Sequence, residues 1–381
     1  TMTEDMLRGF AFANNQYNPL FTDPDYAKQT RWGQLIAAPC IECTDIQFPS
    51  LPDNTGVWDG IARFVPGKGL DHEVNFVRPL VAGKHYHSVN YYDTVEDLTD
   101  PNGSTVRPIR IAGYGALIDD LGQEYVKIRH STVEIYGILK DKSQAADYPS
   151  DLGKTIQAKS FEPVHQYTDE DYARMIEIWK NEYVRGKDTL YWEDVQVGYE
   201  APKTCSGPIT YMDMIYWYGA RPLTRQQLMD SKTLETMYRD HLGNYLFETS
   251  IHLGTRNHPQ GRMVWYNDTG AKTIYRTITN FIGNKGRVSK FSWRFFPFFK
   301  EMQGPTDATE MFNKVPGMEG RDCERHGSEG DTCIGRAVVT DKYVNDRGEH
   351  CIEIALWAET LDGEIVQACA SEAVLPAHGE G

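Results

Sequence analysis

Apolar and polar positions follow two different periods along this chain, and the order of those periods occurs twice. Near the start, TEDMLRGFAFANN spaces its apolar residues as a helix does, behind a threonine suited to capping it. Alternating runs rich in β-branched and aromatic residues follow. They include SVNYYDTVED, entered through Gly83-Lys84-His85-Tyr86-His87, and LGQEYVKIRHSTV at 121–133. Later, ITYMDMIYWYGAR resembles the opening helix, and RAVVTDKYVND follows Gly330-Asp331-Thr332-Cys333-Ile334-Gly335. DGEIVQACASEAV at 362–374 then matches 121–133, with one residue fewer between Gly and Val.

Each copy therefore predicts a helix followed by several antiparallel strands, an α+β arrangement in which a sheet wraps one central helix. The copies span about 2–138 and 190–376. The expected organisation is a first domain at 1–140, a linker with a helix at 141–189, and a second domain at 190–381 carrying an inserted segment at about 221–262. Asp141 to Glu162 reads as polar linker. Thr168 opens a helix expected to run to about Arg185, with Tyr172, Met175, Ile176, Ile178 and Trp179 turned toward the domains.

Length and composition agree with this picture. The 381 residues suit two ordinary domains, with 40% hydrophobic and 24% charged residues. A net charge of −15 argues against nucleic acid as a partner, since phosphate binding needs a concentrated cationic surface. No apolar run approaches the roughly 18 residues of a membrane span, and TMTEDMLRG lacks a basic-then-apolar leader, so no membrane is expected and the expected location is cytoplasmic. Seven cysteines, an odd number, fit free thiols in a reducing compartment. Cys40-x-x-Cys43 has no second pair nearby and reads as packing, so no metal is expected.

Residues 10–42, FAFANNQYNPLFTDPDYAKQTRWGQLIAAPCIE, carry the most specific motif. The stretch resembles the opening of MaoC-type dehydratases, the hot-dog family of (R)-specific enoyl-thioester hydratases, where it reads roughly G-D-x-N-P-x-H-x-D, A, F/W-G, I-A-x-P. Asn18-Pro19, Asp23, Ala27, Trp32-Gly33 and Ile36-Ala37-Ala38-Pro39 match it. HEVNFVRPLVAGKHYHSVNYYDTVED and ACASEAVLPA resemble later parts of the same family. The resemblance implies a double hot-dog fold, two hot dogs joined edge to edge, with an acyl thioester in a tunnel between the halves. It implies coenzyme A as part of the substrate and no other cofactor. A homo-oligomer is a possible assembly.

The family's catalytic Asp and His are replaced here by Gln16 and Phe21. An amide cannot take a proton from water at neutral pH, and a phenyl ring can neither take nor give one. Asn18 and Asp23 also have plain roles as turn and cap residues. The densest acid-plus-imidazole cluster lies in the inserted segment: Asp240, His241, Glu248, His252 and His258. Glu248 and His252 would share a helix face. These are the expected catalytic residues, with helix capping and surface decoration as the plain alternative. Gln16, Asn18, Phe21, Tyr216, Trp217 and Arg221 are expected to shape the substrate pocket. In KGRVSKFSWRFFPFFK, Arg287, Lys290 and Arg294 are expected to meet coenzyme A, against the plain reading of a strand with one core face and one solvated face. Three readings follow: a hydratase or dehydratase of a bulky acyl-CoA; the same fold with another elimination or lyase reaction on a non-CoA substrate, aromatic ones included; and a non-catalytic ligand-binding or partner subunit.

Overall fold

The computed structural model describes residues 1–39, 41, 61–98, 106–138, 165–210, 212–213, 267–294, 306–325 and 327–379. Among these residues, nine antiparallel strands form one sheet in the order β2-β3-β4-β1-β6-β9-β8-β7-β5. The first copy supplies β1 (Ile61–Phe76), β2 (Tyr86–Asp97), β3 (Val106–Asp119) and β4 (Glu124–Ile138). The second supplies β5 (Thr204–Ser206), β6 (Arg287–Arg294), β7 (Cys333–Val344), β8 (His350–Glu359) and β9 (Ile365–Val374).

Read outward from the β1–β6 seam, both halves run in one order: β1-β4-β3-β2 on one side and β6-β9-β8-β7 on the other. The sequence repeat is thus a structural one. Its best-matched segments are β4 and β9, entered through turns where Gly122 (φ 72°) and Gly363 (φ 83°) take the left-handed conformation that glycine adopts freely. At the seam, Val74 pairs with Phe291 and His72 with Trp293. Val74, Phe291 and Trp293 join a single core that spans both halves.

The helices correct one expectation. α1 (Glu4–Ala13), capped by the Thr3 hydroxyl, buries Leu7, Phe10 and Ala11 in that common core. It is followed by α2 (Pro19–Thr22) and α3 (Pro24–Lys28). The second copy's opening Thr210 also makes its capping bonds with Asp213. Yet the helix laid on the second half's strands is another one, α5 (Asn267–Ile282), directly before β6. Ile274, Tyr275, Ile278, Phe281 and Ile282 of α5 are core residues. The corresponding place in the first copy, 42–60 before β1, lies outside the described residues, as does the expected linker at 141–162.

α4 (Asp169–Asn181) starts at Thr168 through a capping box with Asp171. It ends four residues earlier than expected. Met175 packs with Cys205, Ile334 and Leu361, and Ile178 lies against that cluster. The Trp179 indole donates to the Cys205 carbonyl at 2.8 Å, whereas Tyr172 and Ile176 face solvent. α6 (Asp307–Phe312) packs Ala308 and Phe312 against Ala355, Trp357 and Ala368. No helix among the described residues is long and apolar enough to cross a membrane.

Candidate functional site in a slot between the halves

The N-terminal motif folds as its residue types dictate. Asn18 Oδ1 accepts the Leu20 N–H, and Pro19 supplies a preset first helical position. Asp23 Oδ1 accepts from the N–H groups of Asp25 and Tyr26 and starts α3. These local bonds bring one face of the motif against the C-terminal end of α5.

Asn284, just past that end, is where the halves meet. Its Oδ1 accepts from Asn18 Nδ2 at 3.0 Å, its Nδ2 donates to the Tyr26 hydroxyl at 2.7 Å, and its carbonyl accepts the Trp32 indole N–H at 2.9 Å. Gly283, at φ 67°, turns the chain there. Arg185 Nε donates to the Phe281 carbonyl at 2.7 Å, satisfying one of the acceptors a helix end leaves open.

Gln16 and Phe21 are both buried. The Gln16 amide lies 3.0 Å from Thr279 Oγ1, whose hydroxyl is also 2.9 Å from the Tyr275 carbonyl. One hydroxyl proton cannot serve two acceptors. Turning the amide so that its NH₂ donates to Thr279 lets the hydroxyl donate to Tyr275, so that each proton has one acceptor. Gln16 thus holds the motif to α5.

Beside this contact lies a cavity of about 380 Å³, lined from both halves. The first half contributes Leu20, Phe21, Trp32, the Ile36–Pro39 turn, Phe76 and Leu80; the second contributes Thr279, Ile282, Gly283, Gly286 and Val288. Arg31, Arg78, Arg287 and Glu349 add charge to its wall. Arg31 lies 4.3 Å from the Trp32 ring and makes no ion pair among the described residues. Burial and the nearby Arg287 charge lower its pKa. Arg287 is ion-paired with Glu349. Burial raises the Glu349 carboxyl, but hydrogen bonds from Asn345 and Arg287 more than offset this and hold it below its ordinary value. The slot is therefore apolar along its length and cationic at one part of its wall, suited to an apolar chain ending in an anionic group.

The other expected site residues divide clearly. Arg287 lines the slot, but Lys290 and Arg294 lie on the opposite face of the sheet, after an irregularity between Val288 and Lys290. There Lys290 pairs with Asp307 at 2.8 Å, and buried Arg294 with Asp322 at 3.1 Å. The strand reading of this stretch holds for β6, whose Phe291 and Trp293 are core. Asp240, His241, Glu248, His252, His258, Tyr216, Trp217 and Arg221 lie outside the described residues, as do Cys40 and Cys43. Sequence reasoning missed Asn284, Thr279, Arg31 and Glu349. Only the Gly283-x-x-Gly286 spacing hinted at a helix end near the first two.

Behind the seam, His72 and His130 are buried 2.7 Å apart, with His72 stacked on Trp293 at 4.6 Å. Burial pushes His130 down to about 3, and burial with the His130 charge holds His72 well below the usual imidazole value, so the pair is neutral at pH 7.

No protein-family model matches the sequence, and no curated protein matches it. Solved structures do. A MaoC-like dehydratase aligns at TM-score 0.55 with 13% identity, covering 99% of this chain and 95% of that one. A putative MaoC domain protein dehydratase from Chloroflexus aurantiacus J-10-fl aligns at 0.54 with 9% identity, covering 100% and 93%. A conserved hypothetical protein from Mycobacterium tuberculosis with a double hot-dog fold aligns at 0.50 with 10% identity, covering 98% and 92%. Agreement over nearly the full length of each chain, together with the mirrored strand order, establishes that this chain has the double hot-dog fold.

Proposed function

We propose that the slot binds a bulky acyl thioester and that the protein adds water to, or removes it from, the acyl chain next to the thioester carbonyl. One observation carries this reading: the apolar cavity between the halves has two cations on its wall, Arg31, with no ion pair among the described residues, and Arg287, paired with Glu349. An apolar slot accepts the acyl chain, and aromatic residues Phe21, Trp32 and Phe76 favour a bulky one. The cations suit the phosphates of coenzyme A.

Water addition needs a base, an acid and N–H donors for the enolate oxygen. Gln16 and Phe21 supply neither proton acceptor nor donor, so this half shapes the pocket. We assign proton transfer to the inserted segment, with His252 and His258 the leading candidates and Glu248, Asp240 and His241 as partners. Loss of the enoyl-thioester absorbance with a panel of 2-enoyl-CoAs tests the reaction. His252→Ala or His258→Ala should abolish turnover without lowering the melting temperature; full activity in both removes the assignment.

The burial of Gln16 against Thr279 favours a second reading, in which the fold hosts a different elimination on a non-CoA acid or only binds a ligand. Small aromatic acids that raise the melting temperature, with no enoyl-CoA consumed, would select it.

A further inference from the structure

The two copies differ sharply at one corner of the sheet. In the second half, Thr332, Ile334 and Leu361 sit where β7 begins and where the β8–β9 turn begins. Ile334 and Leu361 pack with Met175 of α4, and the Tyr167 hydroxyl is 2.7 Å from Thr332 Oγ1. Counting from the turn glycines, Gly330 against Gly83 and Gly363 against Gly122, the same positions of the first half are His85, His87 and Asp120. No described element covers them, and all three are exposed.

Their donor atoms converge. His87 Nε2 lies 2.7 Å and His85 Nδ1 3.1 Å from the same Asp120 oxygen, and the two rings are 4.5 Å apart. All three ligand atoms lie within 4.8 Å of one another. The backbone fixes this geometry from both sides. His85 and His87 flank Tyr86, which pairs with Asp119 across β2 and β3. The buried Asp119 carboxylate accepts the N–H groups of Leu121 and Gln123 and so sets the turn that carries Asp120. Asp119 also pairs with Lys84 at 2.9 Å, which neutralises the nearest lysine.

We propose that His85, His87 and Asp120 form a binding site for a zinc-class divalent cation. Two imidazoles and one carboxylate are a donor set that such ions favour, with bonds of about 2.0–2.2 Å and a fourth position left to water. Edges of a tetrahedron with bonds of that length are roughly 3.3–3.6 Å, so the two contacts to Asp120 need to open by less than about 1 Å to admit the ion. The bound ion would tie the start of β2 to the β3–β4 turn. The site lies outside the slot and does not rest on the proposed reaction.

Equilibrium dialysis of the full-length, untagged chain against Zn²⁺ tests the proposal, with wild type beside His85→Ala/His87→Ala and Asp120→Asn. The exposed positions make these variants benign to folding, and thermal melts without metal check that. Wild type should bind one equivalent more than the double variant. Because outer-sphere partners alone are worth about 10- to 100-fold, losing the carboxylate should weaken that equivalent by at least roughly tenfold. Zn²⁺ should raise the melting temperature of wild type more than that of the double variant. Equal stoichiometry and affinity in wild type and double variant, or no Zn²⁺ bound at micromolar concentration, would reduce the cluster to a solvated imidazole–carboxylate contact.

Discussion

Gln16 shows how one side chain separates fold from chemistry. It fills a buried position in the motif and binds Thr279 of the other half, but it cannot exchange a proton with substrate. Gln16→Met keeps the volume and removes the bond. Chemical denaturation should show a loss of about 1 kcal/mol, the usual net worth of a buried hydrogen bond, while enoyl-CoA turnover is retained. Loss of turnover at full stability would put Gln16 back in the reaction. Asn18 was legible from sequence because its turn is local; Asn284 was not, since its bond to Asn18 spans 266 residues. Asp71, on the sheet face away from the slot, offers a pH test. Burial pushes its carboxyl up to about 6, against the attraction of Arg294. The folded chain then holds a proton that the unfolded chain has lost, so this group's contribution falls as pH rises from about 4 to about 6 and stays low above that. Asp71→Asn should therefore stabilise the protein at pH 7.5 by up to about 3 kcal/mol, and hardly at all at pH 4. Equal effects at both pH values would show that the carboxylate is not destabilised by burial.

At the level of elements, the strands and the α4 start were readable because their signals are local: alternation, turn glycines and a threonine cap. α5 was not, because its buried surface is not a clean apolar stripe. Lys272, Thr273, Arg276, Thr277, Thr279 and Asn280 are all buried on it. β5 and α4's C-cap supply partners for three of them: Thr204 Oγ1 lies 2.7 Å from Thr277 Oγ1, Arg276 donates to the Cys205 carbonyl at 2.7 Å, and Asn280 to Glu182 at 3.0 Å. A polar helix face of this kind reads as solvated until its neighbours are known. The close approach depends on Gly335 of β7, where an added Cβ would meet Thr277 Oγ1 at 2.2 Å and Thr204 Oγ1 at 2.6 Å. Gly335→Ala should cost about 1–3 kcal/mol by forcing α5 off the sheet, and Thr277→Ala in the same chain should recover part of that. Denaturant midpoints with an unchanged slope would measure both. No loss in Gly335→Ala would mean that α5 does not sit so close to β7.

Among the described residues the two copies share one sheet, with β1 and β6 joined at the centre, and one main core that spans both. That continuity predicts a single cooperative unfolding transition, with calorimetric and van't Hoff enthalpies in agreement; two resolved transitions would mean that the halves fold independently. The repeat and the motif together made this architecture legible, and the slot follows from it. The chemistry stayed hidden because the motif's two proton-transfer positions hold Gln16 and Phe21, and the residues expected to replace them, at 240–258, lie outside the described residues. The central claim is that the slot between the halves is where ligand binds, and Ala37, on its wall, gives access to it. The direct measurement is calorimetric titration of a saturated, bulky acyl-CoA into wild type and Ala37→Phe, with melting curves confirming that both are folded. Binding to wild type, lost when the phenyl ring fills the slot, is the predicted result; equal affinity in the two proteins would contradict the account.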